Sequence, residues 1–143
     1  MKFDIEHWDK TWSRDCSRYN GHHQKIWERL IPYLKGKVVD LGCGSCEMYV
    51  GQSVDLTGVD SSVEALKQSA KNFPTGKYIL ADIKDSGLPS GEFDTIILSG
   101  VLNYYEDLEE ILTEAKRIGK TDSKIIATYL LKKEGEWLVF EIK

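Results

Sequence analysis

Apolar residues along this chain alternate between a helical spacing and short continuous runs. In GHHQKIWERLIPYLKG, Ile26, Leu30 and Leu34 fall at i, i+4 and i+8, with Trp27 and Ile31 beside them, the stripe of an amphipathic helix. Pro32 would cost such a helix about 3 kcal/mol, so a break is expected near Ile31, with Gly36 ending the element. KVVDL then reads as a short buried strand, Gly42 to Ser45 as a turn and Cys46 to Gln52 as a short helix. VDLTGVD predicts a second strand. In SSVEALKQSAKNF, Ser61 and Glu64 have capping-box spacing, and Val63, Leu66, Ala70 and Phe73 form one face of a helix. KYILAD predicts a third strand, KDSGLPSGE a loop and FDTIILSG a fourth strand. The consecutive Ile96, Ile97 and Leu98 suit a strand covered on both faces. DLEEILTEAKRIGK carries Asp107 and Glu110 as capping residues and a stripe of Leu108, Ile111, Leu112, Ala115 and Ile118. KIIATYLL is the fifth strand, KKEGE a turn, and EWLVFEIK a last strand folding back antiparallel.

Strands alternating with helices require right-handed crossovers. They predict an α/β fold, doubly wound, with a mainly parallel sheet in three α/β/α layers and an antiparallel last strand. Ligands of such sheets bind outside the carboxyl ends of the strands. Asp40 with its glycine turn, Asp60, Asp82 and Ser99 all fall at those ends.

The length of 143 residues suits one domain over 1–143, and the net charge of −4 argues against a nucleic-acid footprint. No apolar run reaches the ~20 residues of a membrane span, and MKFDIEHWDK does not read as a secretory signal. A cytoplasmic setting is the expectation. Three cysteines, Cys16, Cys43 and Cys46, are an odd number that does not suggest a disulfide framework.

Glycines after a strand let a ligand approach the backbone, and a helix start beyond them offers free N–H groups. One reading of Gly42-Cys43-Gly44-Ser45-Cys46-Glu47 is a dinucleotide site. Asp60 lies at the right distance, but Glu47 stands where a glycine or alanine is needed, so NAD(P) is half matched. A second reading is a metal or redox pair at Cys43 and Cys46. A tetrahedral site wants about four ligands and no second cysteine pair exists, so no metal is expected.

The third reading is a resemblance. VVDLGCGSC, GVDSSVEALKQSAKN and LADIKDSGLPSGEFDTIILSGVLNYYED resemble, in order and spacing, the successive motifs of class I S-adenosylmethionine-dependent methyltransferases. The resemblance runs from about Lys35 to Ala127 and implies a Rossmann-like sheet, S-adenosyl-L-methionine as cofactor and methyl transfer to a small-molecule acceptor. It implies that Asp40 orients the turn toward the methionine ammonium, with Gly42, Cys43 and Gly44 passing close to the methionine part. Asp60, followed by Ser61, would accept from the ribose hydroxyls. Asp82 would accept from the adenine amino group, the Ile83 N–H would serve a ring nitrogen, and Ser99 would lie near the methionine tail. Residues 1–35 would form an N-terminal lid and helix region, and 36–143 the cofactor-binding core. Cys46 departs from the family pattern, which has a third glycine there.

Methyl transfer from a sulfonium is an in-line displacement that needs alignment more than a base, so no catalytic residue is assigned. Asn103, Tyr104 and Tyr105 are the candidates near the end of the fourth strand, where the tyrosines could line the acceptor pocket. Tyr104, Tyr105 and His22, beside His23, are the candidate catalytic residues, the histidines as bases, while Trp8, Trp12 and Tyr19 could close over the cofactor. The family's usual helix after the fifth strand and its extra hairpin strand have no room here. An open pocket and a sticky last strand then suggest a homo-oligomer. The alternative function is a cofactor-binding protein or partner subunit without catalysis.

Overall fold

The computed structural model describes residues 20–143, with side chains from residue 24 onward. Six strands form one sheet: β1 Lys37–Leu41, β2 Asp55–Asp60, β3 Lys77–Leu80, β4 Phe93–Leu98, β5 Gly119–Leu131 and β6 Glu136–Ile142. Their order is β3-β2-β1-β4-β5-β6. All neighbours are parallel except β6, which pairs antiparallel with β5 from Ile125↔Ile142 to Leu131↔Glu136. The helices are α1 Asn20–Leu30, α2 Val63–Asn72 and α3 Leu108–Ile118. No helix among the described residues is long and apolar enough to cross a membrane.

Side-chain alternation sorts β1 and β4 onto two cores. Val38 and Ile97 pack with Ile26 and Leu30 of α1 and with Phe73 at the end of α2. Val39, Leu41, Ile96 and Leu98 pack with Ile111, Ala115 and Ile118 of α3. Ile96, Ile97 and Leu98 are all fully buried, which explains their unbroken run. The first helix breaks where Pro32 required: α1 stops at Leu30 and Ile31–Tyr33 continue as a 3-10 turn.

Four sequence expectations are corrected. The cap of α2 is Ser62, not Ser61; its hydroxyl accepts from the Ala65 N–H at 3.2 Å. The face that α2 buries is Ala65, Ser69 and the following Phe73, whereas Val63 is 43% exposed and Ala70 is also exposed. Small residues win there because the helix lies close to the loop after β1. Cys46 to Gln52 forms only a 3-10 turn, Glu47–Tyr49. β5 also starts earlier than its apolar run: Gly119 pairs with Phe93, and after a register shift Lys124 pairs with Thr95.

The loop between β3 and β4 is fastened to α3 by one buried carboxylate. Glu114 Oε2 accepts from the Ser86 N–H and hydroxyl, each at 2.7 Å, and its two oxygens take a bidentate pair from Arg117 at 2.6 and 2.9 Å. Arg117 and the Ser86 bonds hold the Glu114 carboxyl down at about 2, against an ordinary 4.5. A depressed folded value means stability present above about pH 4.5 and lost as pH falls toward 2. Glu114→Gln is expected to cost about 2 kcal/mol in urea unfolding at pH 7 and to flatten the acid limb between those values; an unchanged acid limb would contradict this role.

Candidate functional site

The carboxyl ends of β1, β2 and β4 meet where the chain reverses its direction of winding, β1 leading to β2 on one side and β4 lying on the other. The loop Gly42–Cys46 fills this end. Gly42 has φ +81°, and a Cβ there would lie 2.8 Å from Val101 Cγ2, in the loop after β4. The Gly42 and Cys43 N–H groups both donate to the Val59 carbonyl, at 2.7 and 3.1 Å. Gly44, at φ +57°, donates its N–H to Asp60 Oδ2 at 2.9 Å. Asp60 Oδ1 accepts from the Ser62 N–H at 2.9 Å, so this carboxylate ties the turn to the start of α2. From α2, the Ser69 hydroxyl donates to the Gly44 carbonyl at 2.5 Å and the Asn72 amide to the Ser45 carbonyl at 2.8 Å.

Cys46, where the family pattern has glycine, keeps the glycine-like backbone at φ +57° and buries its side chain. Left-handed backbone costs a non-glycine residue about 1–2 kcal/mol. The Cys46 thiol beside it, and burial, push the Cys43 thiol well up. At neutral pH Cys43 is therefore a thiol, not the thiolate that redox or metal chemistry uses. Its sulfur occupies space left by Gly58, whose Cβ would sit 2.8 Å from it.

Asp40 is 3% exposed at the end of β1, on the α1 face. The Tyr49 hydroxyl donates to its Oδ2 at 2.7 Å, and its Oδ1 has no hydrogen-bond partner among the described residues. Burial pushes the carboxyl up to about 7, against the Tyr49 bond that lowers it, and the charge of Asp60 adds to the rise. A buried acceptor without a partner is a position where a cationic donor would be welcome.

Asp82 follows β3, exposed, with its Oδ1 accepting from the Lys84 N–H at 2.9 Å, while Ile83 beside it packs into the α3 core. Ser99 directly follows β4, half-buried, and is followed by Gly100, whose N–H donates to Thr128 Oγ1 at 2.8 Å. Ser61 is half-buried between Asp60 and the α2 cap. Tyr105 is half-buried against the α3 core, and its hydroxyl is pushed up first by burial and then by the charges of Asp82 and Asp60. Tyr104 lies in a 3-10 turn, Leu102–Tyr104, half-buried.

Asn103 lies in the Leu102–Tyr104 turn after β4. Its amide N donates to the Leu130 carbonyl at 3.0 Å and its oxygen accepts from the Leu130 N–H at 2.9 Å, clamping the turn to β5. The side chains of His22 and His23 lie outside the described residues, as do Trp8, Trp12 and Tyr19. Tyr49, Ser69 and Asn72 were not picked out from sequence. Ser62, Ser69 and Asn72 do recur on one side of α2, a usable signal; nothing in the order of residues ties Tyr49 to Asp40.

The family model described as a methyltransferase domain matches residues 39–127, more than half of the chain. The chain belongs to the class I S-adenosylmethionine-dependent methyltransferase family. Among curated relatives, EEF1A lysine methyltransferase 4 of Bos taurus is 29% identical over 113 residues, covering 70% of this chain and 44% of the relative. Demethylmenaquinone methyltransferase of Thermotoga maritima is 23% identical over 113 residues, covering 76% of this chain and 49% of the relative. The chain thus spans about half or less of these relatives. A solved SAM-dependent methyltransferase from Thermotoga maritima superposes with a TM-score of 0.72 at 18% identity, over 89% of this chain and 62% of that one. This likeness carries the Rossmann-like fold. S-adenosylmethionine is the cofactor that the family and fold imply. An unpartnered buried carboxyl oxygen beside a left-handed glycine turn fits its cationic methionine end, and Asp60 and Asp82 fit the donor groups of an adenosine.

Two outcomes follow for this methyltransferase domain. Gly42→Ala forces a Cβ against Val101 at a left-handed φ and is expected to destabilise by about 1–3 kcal/mol in urea unfolding; no change would contradict the packing described. Asp40, with a raised folded value, favours the fold most below about pH 4, and that stability is lost as pH rises through about 7. Asp40→Asn is expected to remove this downward slope between pH 4 and 7. A slope that persists in the variant would assign it elsewhere.

Proposed function

We propose that this chain binds S-adenosylmethionine over the Gly42–Gly44 turn and transfers its methyl group to an acceptor at the rim formed after β3 and β4. The observation that supports this reading is the convergence of Asp40, Asp60 and Asp82 on one strand-end edge of the sheet, with the glycine turn between the first two. Asp60 and Ser61 meet the ribose hydroxyls, Asp82 the adenine amino group and the Ile83 N–H a ring nitrogen. Asp40 and the backbone of Gly42, Cys43 and Gly44 hold the methionine part, with Ser99 beside it.

When bound, the cofactor supplies an electrophilic methyl on a positively charged sulfur. The protein's share is alignment and exclusion of water. Tyr105, raised by burial and by two nearby acids, stays a neutral phenol at physiological pH and so offers a hydrogen bond rather than a negative charge. With Tyr104 it gives the acceptor an aromatic wall. A proton leaving the acceptor late in an in-line displacement can pass to water, so no dedicated base is required of the chain.

A small-molecule acceptor is the first reading, supported by the named activity of the demethylmenaquinone relative. A basic acceptor, such as a lysine side chain on a protein, is favoured by a different observation. A cleft of about 670 Å³ beside Asp82 is lined by Asp82, Asp85, Asp107, Glu109, Glu110 and Glu114, with Lys84 and Thr113. This field would draw in a cation. The bovine relative's name also specifies lysine.

Asp82→Ala changes only an exposed side chain, so the fold is expected to survive while S-adenosylmethionine binding weakens about tenfold by calorimetry. Transfer from a labelled methyl donor is then measured against quinones, small carboxylic acids and lysine-rich peptides. Labelled product in any class supports a transferase and selects the acceptor. Binding without product in every class supports the non-catalytic alternative, and no binding removes the proposal.

A further inference from the structure

The buried Asp40–Tyr49 pair goes further than a cofactor contact. We propose that Tyr49 is a positioning residue that aims the Asp40 carboxyl at the cationic end of the methyl donor, and that donor binding expels a proton from that carboxyl. The inference rests on the methyltransferase reading and extends it to a coupling between cofactor and pH.

Tyr49 is fully buried, its ring beside Phe73 and its hydroxyl on Asp40, with a 2.7 Å bond to Oδ2. That bond leaves Oδ1 as the other end of the carboxyl, buried and without a partner among the described residues. An anion in that state is costly, because nothing but one phenol offsets the loss of water. Burial raises the carboxyl to about 7, so below neutrality it is the neutral acid. A donor carrying an ammonium and a sulfonium changes the balance. The carboxyl ionises against the incoming cation, its O–H bond breaks, and the proton leaves to solvent.

The groups around Asp40 favour this. Asp60 at the end of β2 raises it, and Tyr49 lowers it. The loop above contributes the Cys43 and Cys46 thiols, with Cys43 raised by Cys46, by burial and by the charge of Asp40. On β4, its paired residue is the apolar Ile97. From α1, Ile26 and Leu30 are buried, while the described charged residues Lys25, Glu28 and Arg29 are exposed. No cation among these neighbours competes for the carboxyl before the donor arrives.

The test is calorimetric titration of the full chain with S-adenosylmethionine, in buffers of different ionisation enthalpy, from pH 6 to pH 8.5. At pH 6 close to one proton is expected to leave per donor bound, and affinity is expected to be about tenfold weaker than at pH 7.5. Asp40→Asn is expected to release no proton and to bind with no such pH slope. Tyr49→Phe keeps the ring in the core and removes the bond that favours the carboxylate. Its affinity loss is expected to be several-fold larger at pH 7 than at pH 8.5, whereas a merely structural role weakens both equally. Wild-type binding with no proton release and no slope overturns the inference and leaves the methyltransferase reading standing. Absence of binding at every pH removes both.

Discussion

The ligand-facing end of this molecule depends on how the turn after β1 is tethered. Three backbone N–H groups of that turn would otherwise face the interior unpaired. Val59 and Asp60, adjacent on β2, take all three: the Val59 carbonyl accepts from Gly42 and Cys43, and the Asp60 carboxylate from Gly44. Because Asp60 also holds the Ser62 N–H, the turn and the start of α2 are set by one side chain. The same helix then returns two donors, Ser69 and Asn72, to carbonyls of the turn. The turn's shape is thus fixed from β2 and α2, and its Gly42 approach to Val101 ties it to the β4 side.

This tethering explains the division of labour between the acids. Asp60 is engaged on both oxygens by backbone donors, yet a carboxylate has further lone pairs for a hydroxyl. Asp82 is exposed and lightly held, which suits recognition without structural duty. Asp40 is buried with one carboxyl oxygen unmet among the described residues, and burial raises it. Glu114 is the counterpart at the α3 side: also buried, but saturated by Ser86 and Arg117, and therefore a fastening.

Much of this was legible in the sequence where burial and period agree. β1, β4 and the antiparallel β6 were placed from their apolar runs, and the break at Pro32 from the chemistry of proline. The phase of α2 was misread because its inner face carries serine and alanine, chosen for closeness to the glycine turn, while its larger apolar residues point partly outward. The true cap, Ser62, lies one residue beyond the expected one, with Asp60 accepting from the Ser62 N–H just before it. β5 begins among polar residues because ladder pairing with Phe93, not hydrophobicity, recruits Gly119. The bonds of the Asn103 amide to both backbone groups of Leu130 join positions far apart in the chain, and no period signals them. The Tyr49–Asp40 bond joins residues nine positions apart through a loop of unusual backbone, and no period or motif encodes it.

The last strand leaves Leu138 and Phe140 at 38% and 36% exposure, with Tyr129 exposed on the adjoining strand. The most direct measurement is a crystal structure with S-adenosylhomocysteine bound. The account requires its amino-acid end over Gly42–Gly44 with the ammonium facing Asp40, its ribose on Asp60 and its adenine beside Asp82 and Ile83. Density lying away from the glycine turn, or a ribose that leaves Asp60 untouched, would contradict it.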